Sequence, residues 1–175
     1  MRAFIALEPP EGFVEDVAAM ARVLGAAVEG RFVPRQNYHV TLAFLGDIDE
    51  AQAREAMDAM DEACAEAAAV PMRPDGLGKF GRASDSTLWL GLAPDAELAG
   101  LADRLREVLR SRGIGFDGKP FLPHITLARR AKLPKGALPE LALPLPCNAA
   151  RVTLFKSTLS RNGAQYKPLY EIELP

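Results

Sequence analysis

The sequence has little of several features that would define a class of function. Its two cysteines, Cys64 and Cys147, stand in no Cys-x-x-Cys or metal-ligand spacing, so we expect reduced thiols and no disulfide framework. No apolar run approaches the roughly 18 residues of a membrane span, and the short one at the N-terminus ends at Glu8. Neither sign of charge dominates, with 21 Lys and Arg against 23 Asp and Glu. We therefore expect a cytoplasmic protein with no membrane association and no general attraction to polyanions.

The charges are nevertheless unevenly distributed along the chain. Residues 1–90 hold 8 basic and 15 acidic side chains, whereas residues 91–175 hold 13 and 8. An anionic ligand should therefore bind mainly to the C-terminal half. With 49% hydrophobic residues, the 175-residue chain can bury a substantial core, and we expect one domain over 1–175 that acts as a monomer.

Hydrophobic periodicity predicts an α+β fold. Helical spacing of apolar residues predicts helices over 11–29, 50–69 and 95–112, with Asp49 capping the second. Alternating or β-branched segments predict strands over 2–7, 38–45, 76–82, 87–92, 121–128, 151–159 and 165–174. The glycine-rich stretch 76–82 lacks P-loop spacing, and Asn162-Gly163 is typical of a hairpin turn. This order favours mostly antiparallel sheets covered by outer helices.

The only two histidines stand in the same local pattern of His, apolar residue, Thr and Leu. The two strings are His39-Val40-Thr41-Leu42 and His124-Ile125-Thr126-Leu127. Residues two apart on a strand share a face, so each strand presents an imidazole beside a hydroxyl. If the two faces meet across a groove, the site offers two imidazoles and two hydroxyls to one phosphate group.

Such a site suits the cleavage of a phosphodiester. One imidazole can act as a base and the other as an acid near neutral pH, and the residues do not decide which is which. Thr41 and Thr126 can donate hydrogen bonds to the non-bridging oxygens. A metal site is not expected, because each strand supplies one good ligand. Of the two following arginines, strict alternation puts Arg130 on the His124 face, whereas a bulge would put Arg129 there; both are candidate phosphate ligands.

The paired motifs, about 85 residues apart, resemble those of the two-histidine (2H) phosphoesterase superfamily. More narrowly, the chain is similar to the bacterial and archaeal RNA 2′,3′-cyclic phosphodiesterases, also called 2′-5′ RNA ligases. Besides the motifs, the similarity covers Arg2 to Leu7, Asn37 to Gly46, Pro123 to Arg129, and Ser157 to Leu159 followed by Gly163 and Tyr166.

The resemblance implies a bilobal, pseudo-twofold fold in which each motif lies on a central strand lining one groove. It also implies hydrolysis of a terminal 2′,3′-cyclic phosphate to a 2′-phosphomonoester without a metal or cofactor. His39 would be the proton donor to the leaving 3′ oxygen, and His124 would be the proton acceptor from water. The reverse reaction would be a weak 2′-5′ ligation. The expected partner is RNA with a cyclic phosphate end, for example a tRNA fragment.

Phe80 and Tyr166 are the candidates for stacking on a base. Phe44 and Phe121 lie at odd spacing from the histidines and should face away from the groove. Two alternatives stay open. The chain could be a 2H phosphoesterase for a small cyclic nucleotide or a 2′-5′ oligonucleotide, or a non-catalytic module that binds RNA ends.

Overall fold

The structure, a computed structural model, describes all 175 residues and contains three α-helices and ten strands. The helices are α1 (Glu11–Gly25), α2 (Glu50–Cys64) and α3 (Ala96–Ser111). The strands are β1 (Arg2–Glu8), β2 (Glu29–Phe32), β3 (Val40–Asp47), β4 (Val70–Met72), β5 (Pro74–Arg82), β6 (Asp85–Leu92), β7 (His124–Lys132), β8 (Cys147–Ala149), β9 (Arg151–Ser160) and β10 (Gly163–Glu173). Every strand pairing is antiparallel, which confirms the predicted α+β class.

The two main sheets exchange strands between the halves of the chain. The first has the order β10-β9-β1-β3, and the second has the order β2-β7-β6-β5, while β4 and β8 form a separate pair. The late hairpin β9–β10 thus joins the sheet of β1 and β3, and the early strand β2 joins the sheet of β5 to β7. Neither main sheet can therefore form from one half of the chain alone.

The helices bury the faces that the sequence pattern indicates. Asp49 caps α2, because its side chain accepts a hydrogen bond from the Gln52 amide at 2.7 Å while the Gln52 side chain accepts one from the Asp49 amide. The buried face of α2 is mostly alanine, whereas that of α3 carries leucines at helical spacing. α2 and α3 pack against each other.

Two helices are shorter than predicted. α1 ends at Gly25 rather than at 29, because Glu29–Phe32 forms an edge strand on β7. Gly30 lies in this strand, and a Cβ there would lie 3.0 Å from the Ala131 Cα. α2 ends at Cys64 rather than at 69, and Val70–Met72 pairs with β8. Strands of three or four residues, one of them containing a proline, leave too weak a pattern to be predicted.

The two motif strands occupy different positions in their sheets. β7 is an inner strand, but β3 is an edge strand, so the central position that the resemblance implied for both motifs is wrong for β3. Groups outside the sheet bind the outer edge of β3. Arg106 Nε donates to the Leu42 carbonyl at 2.9 Å, and the Asp117 amide donates to the Phe44 carbonyl at 2.8 Å. β3 and β7 approach each other between the sheets. None of the helices is long and apolar enough to span a bilayer.

Candidate active site

The two histidine rings are anchored in the same way. His39 directly precedes β3, and its Nδ1–H donates to the Asn37 carbonyl at 2.7 Å. His124 opens β7, and its Nδ1–H donates to the Leu122 carbonyl at 2.6 Å. A carbonyl can only accept, so Nδ1 carries the hydrogen in both rings. Nε2 is therefore the nitrogen of each ring that can exchange a proton with a ligand.

Each histidine shares its face with the threonine of its motif. Thr41 Oγ1 lies 3.0 Å from His39 Nε2, and the hydroxyl donates to this nitrogen when the ring is neutral. Thr126 follows His124 by two positions, and both side chains are half-buried. On the neighbouring strand β6, Gly91 pairs with His124 and Trp89 pairs with Thr126. The sheet face that carries His124 and Thr126 therefore extends from β7 onto Gly91 and Trp89 of β6.

The electrostatics of His39 show that distant parts of the chain meet here. Burial lowers the pKa of His39 to about 4, and the positive charges of Arg129 and His124 act in the same direction, against the hydrogen bond to Asn37. Those charges act on His39 because the fold brings the two motifs together. At neutral pH, His39 of the free protein is uncharged.

Two aromatic rings contact the His39 ring. The Phe4 ring centroid lies 4.8 Å away, and Tyr166 approaches edge-on at 5.4 Å. Tyr166, predicted to stack on a base, is half-buried and also meets Phe4 edge-on at 4.9 Å. Its ring thus holds the histidine in place. Sequence reasoning missed Phe4, although it lies in the opening segment that carries part of the family resemblance.

His124 also has two aromatic neighbours. Phe80 meets it edge-on at 5.4 Å, and Trp89 lies at 5.6 Å. Phe80 is 46% exposed, and its stacking on a base stays a prediction. Trp89 was not predicted. Gly78 was the signal in the sequence that could have indicated the position of Trp89, because a glycine opposite a large aromatic residue on a neighbouring strand makes room for its ring.

The glycine-rich stretch in β5 accommodates the Trp89 indole. A Cβ on Gly78 would lie 2.2 Å from Cη2 and 2.4 Å from Cζ2 of the indole, and a Cβ on Gly91 would lie 3.1 Å from Cζ3. The six-membered ring therefore lies flat against the backbone of β5. The indole Nε1–H is buried and has no hydrogen-bond partner.

A bulge in β7 separates the two arginines. Ser86 pairs with Ala131 and Leu88 with Ala128, so two residues of β7 lie opposite one residue of β6 between these pairs. Arg130 adopts a left-handed backbone with φ of 52°, and its side chain, 76% exposed, donates to Asp85 at 3.3 Å. Arg129 is the arginine whose charge acts on His39. A second register shift, between the Trp89–Thr126 and Leu88–Ala128 pairs, leaves one extra residue on β7 ahead of Arg129 and gives Arg129 rather than Arg130 the face of His124. The bulged alternative is thus the one that the chain adopts, and the binding of a phosphate by either arginine stays a prediction.

The donors around the two histidines are therefore the threonine hydroxyls and the Arg129 guanidinium. No group of three or more His, Cys, Asp or Glu side chains converges anywhere in the structure. Two imidazoles anchored through Nδ1, hydroxyl donors and a guanidinium are the kinds of group that acid–base chemistry on a phosphate group requires.

Comparison with known proteins gives the family. The chain belongs to the 2′-5′ RNA ligase superfamily, whose family model matches residues 9–160. It is 33% identical over 141 residues to the RNA 2′,3′-cyclic phosphodiesterase of Geobacillus stearothermophilus, covering 80% of this chain but only 45% of that relative. It is 32% identical over 154 residues to the protein of the same name from Aeropyrum pernix, covering 81% and 84% of the two chains. The crystal structure of E. coli LigT complexed with 3′-AMP is similar at a TM-score of 0.81 and 28% identity, covering 99% of this chain and 97% of that one.

Proposed function

We propose that this chain is an RNA 2′,3′-cyclic phosphodiesterase that opens a terminal cyclic phosphate to a 2′-phosphomonoester by metal-independent acid–base catalysis. The observation that carries the proposal is the shared anchoring of the histidines through Nδ1, which leaves Nε2 as the nitrogen of each ring that can transfer a proton. The names of the relatives and the 3′-AMP complex of E. coli LigT support the substrate class.

The proposed reaction moves one proton at each histidine. His124 Nε2 takes a proton from water as the water oxygen bonds to phosphorus. The bond from phosphorus to the 3′ oxygen breaks, and His39 Nε2–H gives its proton to that oxygen. The products are a 2′-phosphate and a 3′-hydroxyl, and proton exchange with solvent restores both rings. If a 5′-hydroxyl replaces water as the nucleophile, the same steps form a 2′-5′ bond.

The remaining polar groups of the site act on the phosphate oxygens. Thr41 and Thr126 donate hydrogen bonds to the non-bridging oxygens, whose charge grows in the transition state. The Arg129 guanidinium offsets the same charge. Arg130, which is bound to Asp85, is not assigned a part in the reaction.

The donor role of His39 depends on substrate binding. With its pKa lowered to about 4, the ring carries no proton on Nε2 in the free protein at neutral pH. A cyclic phosphate brings a negative charge beside Nε2, and an adjacent opposite charge favours the imidazolium. The substrate thus generates the acid that cleaves it.

The test uses a short RNA that ends in a 2′,3′-cyclic phosphate, incubated with the protein in excess EDTA, and identifies the product isomer. We expect a 2′-phosphate from the parent protein. His39→Asn and His124→Asn should each lower kcat by about 10²–10⁴-fold, the usual contribution of a general acid or base. Asparagine is the matched substitution, because its side-chain amide can replace Nδ1–H as the donor to the anchoring carbonyl.

Three results would contradict the proposal: a 3′-phosphate product, loss of turnover in EDTA, or full activity in either histidine variant. A parent protein that binds the RNA end without turnover would instead be a binding module.

A further inference from the structure

A basic cleft lies beside the His39 half of the site, between β2 and the β9–β10 hairpin. Its volume is about 470 Å³, and four arginines line it: Arg31 on β2, Arg129 and Arg130 at the bulge of β7, and Arg161 in the hairpin turn. No aspartate or glutamate lines it. This concentration of one sign is unusual in a chain whose formal net charge is −2.

The cleft opens onto the reaction centre. Asn37 and Tyr166 line it, and both contact His39: the Asn37 carbonyl accepts the Nδ1–H, and the Tyr166 ring meets the imidazole edge-on. The Asn37 side-chain amide also donates to the Ala164 carbonyl of β10 at 2.9 Å, which fixes the hairpin against the motif. Arg129 belongs to both the cleft and the site.

The arginines of the cleft are arranged at an energetic cost. Arg31 and Arg129 are partners in the β2–β7 ladder, and like charges opposite each other on neighbouring strands destabilise a sheet. Neither of them, nor Arg161, takes part in any ion pair of the structure. A bound polyanion would relieve this repulsion.

One phosphate cannot account for all of these cations. In the proposed function, the reacting phosphate is bound by the two threonines and Arg129. Arg31 and Arg161 are then left over, together with Leu159, which is 76% exposed in the wall of the cleft and offers apolar surface to a base. Spaced cations beside apolar surface suit the backbone of a single strand.

We propose that this cleft binds the internucleotide phosphates on the 5′ side of the cyclic end, so that a strand is bound more tightly than a free cyclic nucleotide. This inference rests on the proposed function, because it takes the cyclic phosphate to lie between the two histidines. It assigns Arg31 and Arg161 to strand binding and gives them no part in the chemical step.

The experiment compares two substrates, 2′,3′-cyclic AMP and a six-nucleotide RNA with the same cyclic end. The variant is the double substitution Arg31→Gln with Arg161→Gln, and the control is Arg54→Gln, at an exposed arginine of α2 outside the cleft. The three arginines are exposed, so all variants should fold, and the loss of the Arg31 charge removes its repulsion with Arg129.

With the six-nucleotide RNA, the double variant should lose about tenfold or more in kcat/KM, mainly through KM, because a hydrogen bond to a charged group contributes about a factor of ten or more. With 2′,3′-cyclic AMP it should match the parent. Each phosphate neutralised on a single strand contributes about 0.7 to the slope of log affinity against log salt, so removal of both arginines should lower the slope by about 1.4. The Arg54→Gln control should match the parent in kcat/KM on the RNA, in kcat/KM on 2′,3′-cyclic AMP and in the salt slope.

Equal kcat/KM of parent and double variant on the RNA, with unchanged salt slopes, would overturn the proposal that the cleft binds the strand and would leave the proposed function intact. Turnover of neither substrate by the parent would overturn the proposed function instead. In that case, fluorescence anisotropy with the same RNA ending in a 2′-phosphate still tests strand binding by the cleft. Weaker binding by the double variant than by the parent would support it, and equal affinity would refute it.

Discussion

The close packing of Gly78 against the Trp89 indole allows a sharp test of how the His124 half of the site is built. Alanine at position 78 would put its Cβ 2.2–2.5 Å from three atoms of the six-membered ring. Ordinary contacts need at least 3.4 Å, and the indole is rigid, so it must move by about 1 Å. Because Trp89 contacts His124, the displacement reaches the imidazole.

We expect Gly78→Ala to lower the free energy of unfolding by about 1–3 kcal/mol, the usual cost of overpacking. A shift of about 1 Å at a catalytic group can cost up to about 10²-fold in rate, so kcat should fall at least tenfold. Trp89 is the only tryptophan, and its fluorescence reports the displacement directly. Urea denaturation followed by this emission gives the stability, and turnover of the cyclic-phosphate RNA gives the rate.

Gly100→Ala is the matched control, because no atom lies within 4 Å of a Cβ at that position on α3. The same chemical change should there raise the free energy of unfolding by up to about 1 kcal/mol, since alanine favours a helix over glycine. The reasoning is refuted if Gly78→Ala keeps the parent's emission spectrum, unfolding free energy and kcat.

Two further predictions concern the His39 half of the site. The native pKa of His39, about 4, lies below its ordinary 6.5, so the unfolded chain binds more protons between these values. Its contribution to stability is therefore complete above pH 6.5 and is lost as the pH falls towards 4, by up to about 3 kcal/mol. Urea denaturation across this range should show a flatter pH dependence for His39→Asn, and identical slopes would argue against a depressed pKa. Asn37→Ala removes a buried hydrogen bond to Ala164 and should lower the free energy of unfolding by about 1–2 kcal/mol. An unchanged urea midpoint would show that this bond does not hold the hairpin.

Much of the chain could be predicted from sequence because the relevant forces are local. The two-residue period of a strand is enough to put Thr41 beside His39. The cap at Asp49 needs only the residues up to Gln52, and the turn between β9 and β10 needs a glycine with φ of 103° at Gly163. The family resemblance could also be found from local sequence, since the paired motifs can be identified without knowing what they contact.

The parts that were missed depend on partners far away in the chain. The predicted helix ran to residue 29, but Glu29 opens β2 instead, because the edge of β7, about 100 residues later, offers unpaired backbone groups. The choice between Arg129 and Arg130 is likewise made by a bulge whose register depends on β6. Trp89 reaches His124 only because Gly78, on the neighbouring strand, leaves the space for its ring.

The sequence by itself thus determined the chemistry that is available: two imidazoles, each with a hydroxyl on the same strand face and with arginines close behind the second. Only the tertiary structure decided which groups act together. It places the charges of Arg129 and His124 where they act on His39, and it places Arg31 opposite Arg129. The physical reason is that periodicity and capping act within a few residues, whereas strand pairing, burial and charge interactions depend on which surfaces meet when the chain folds.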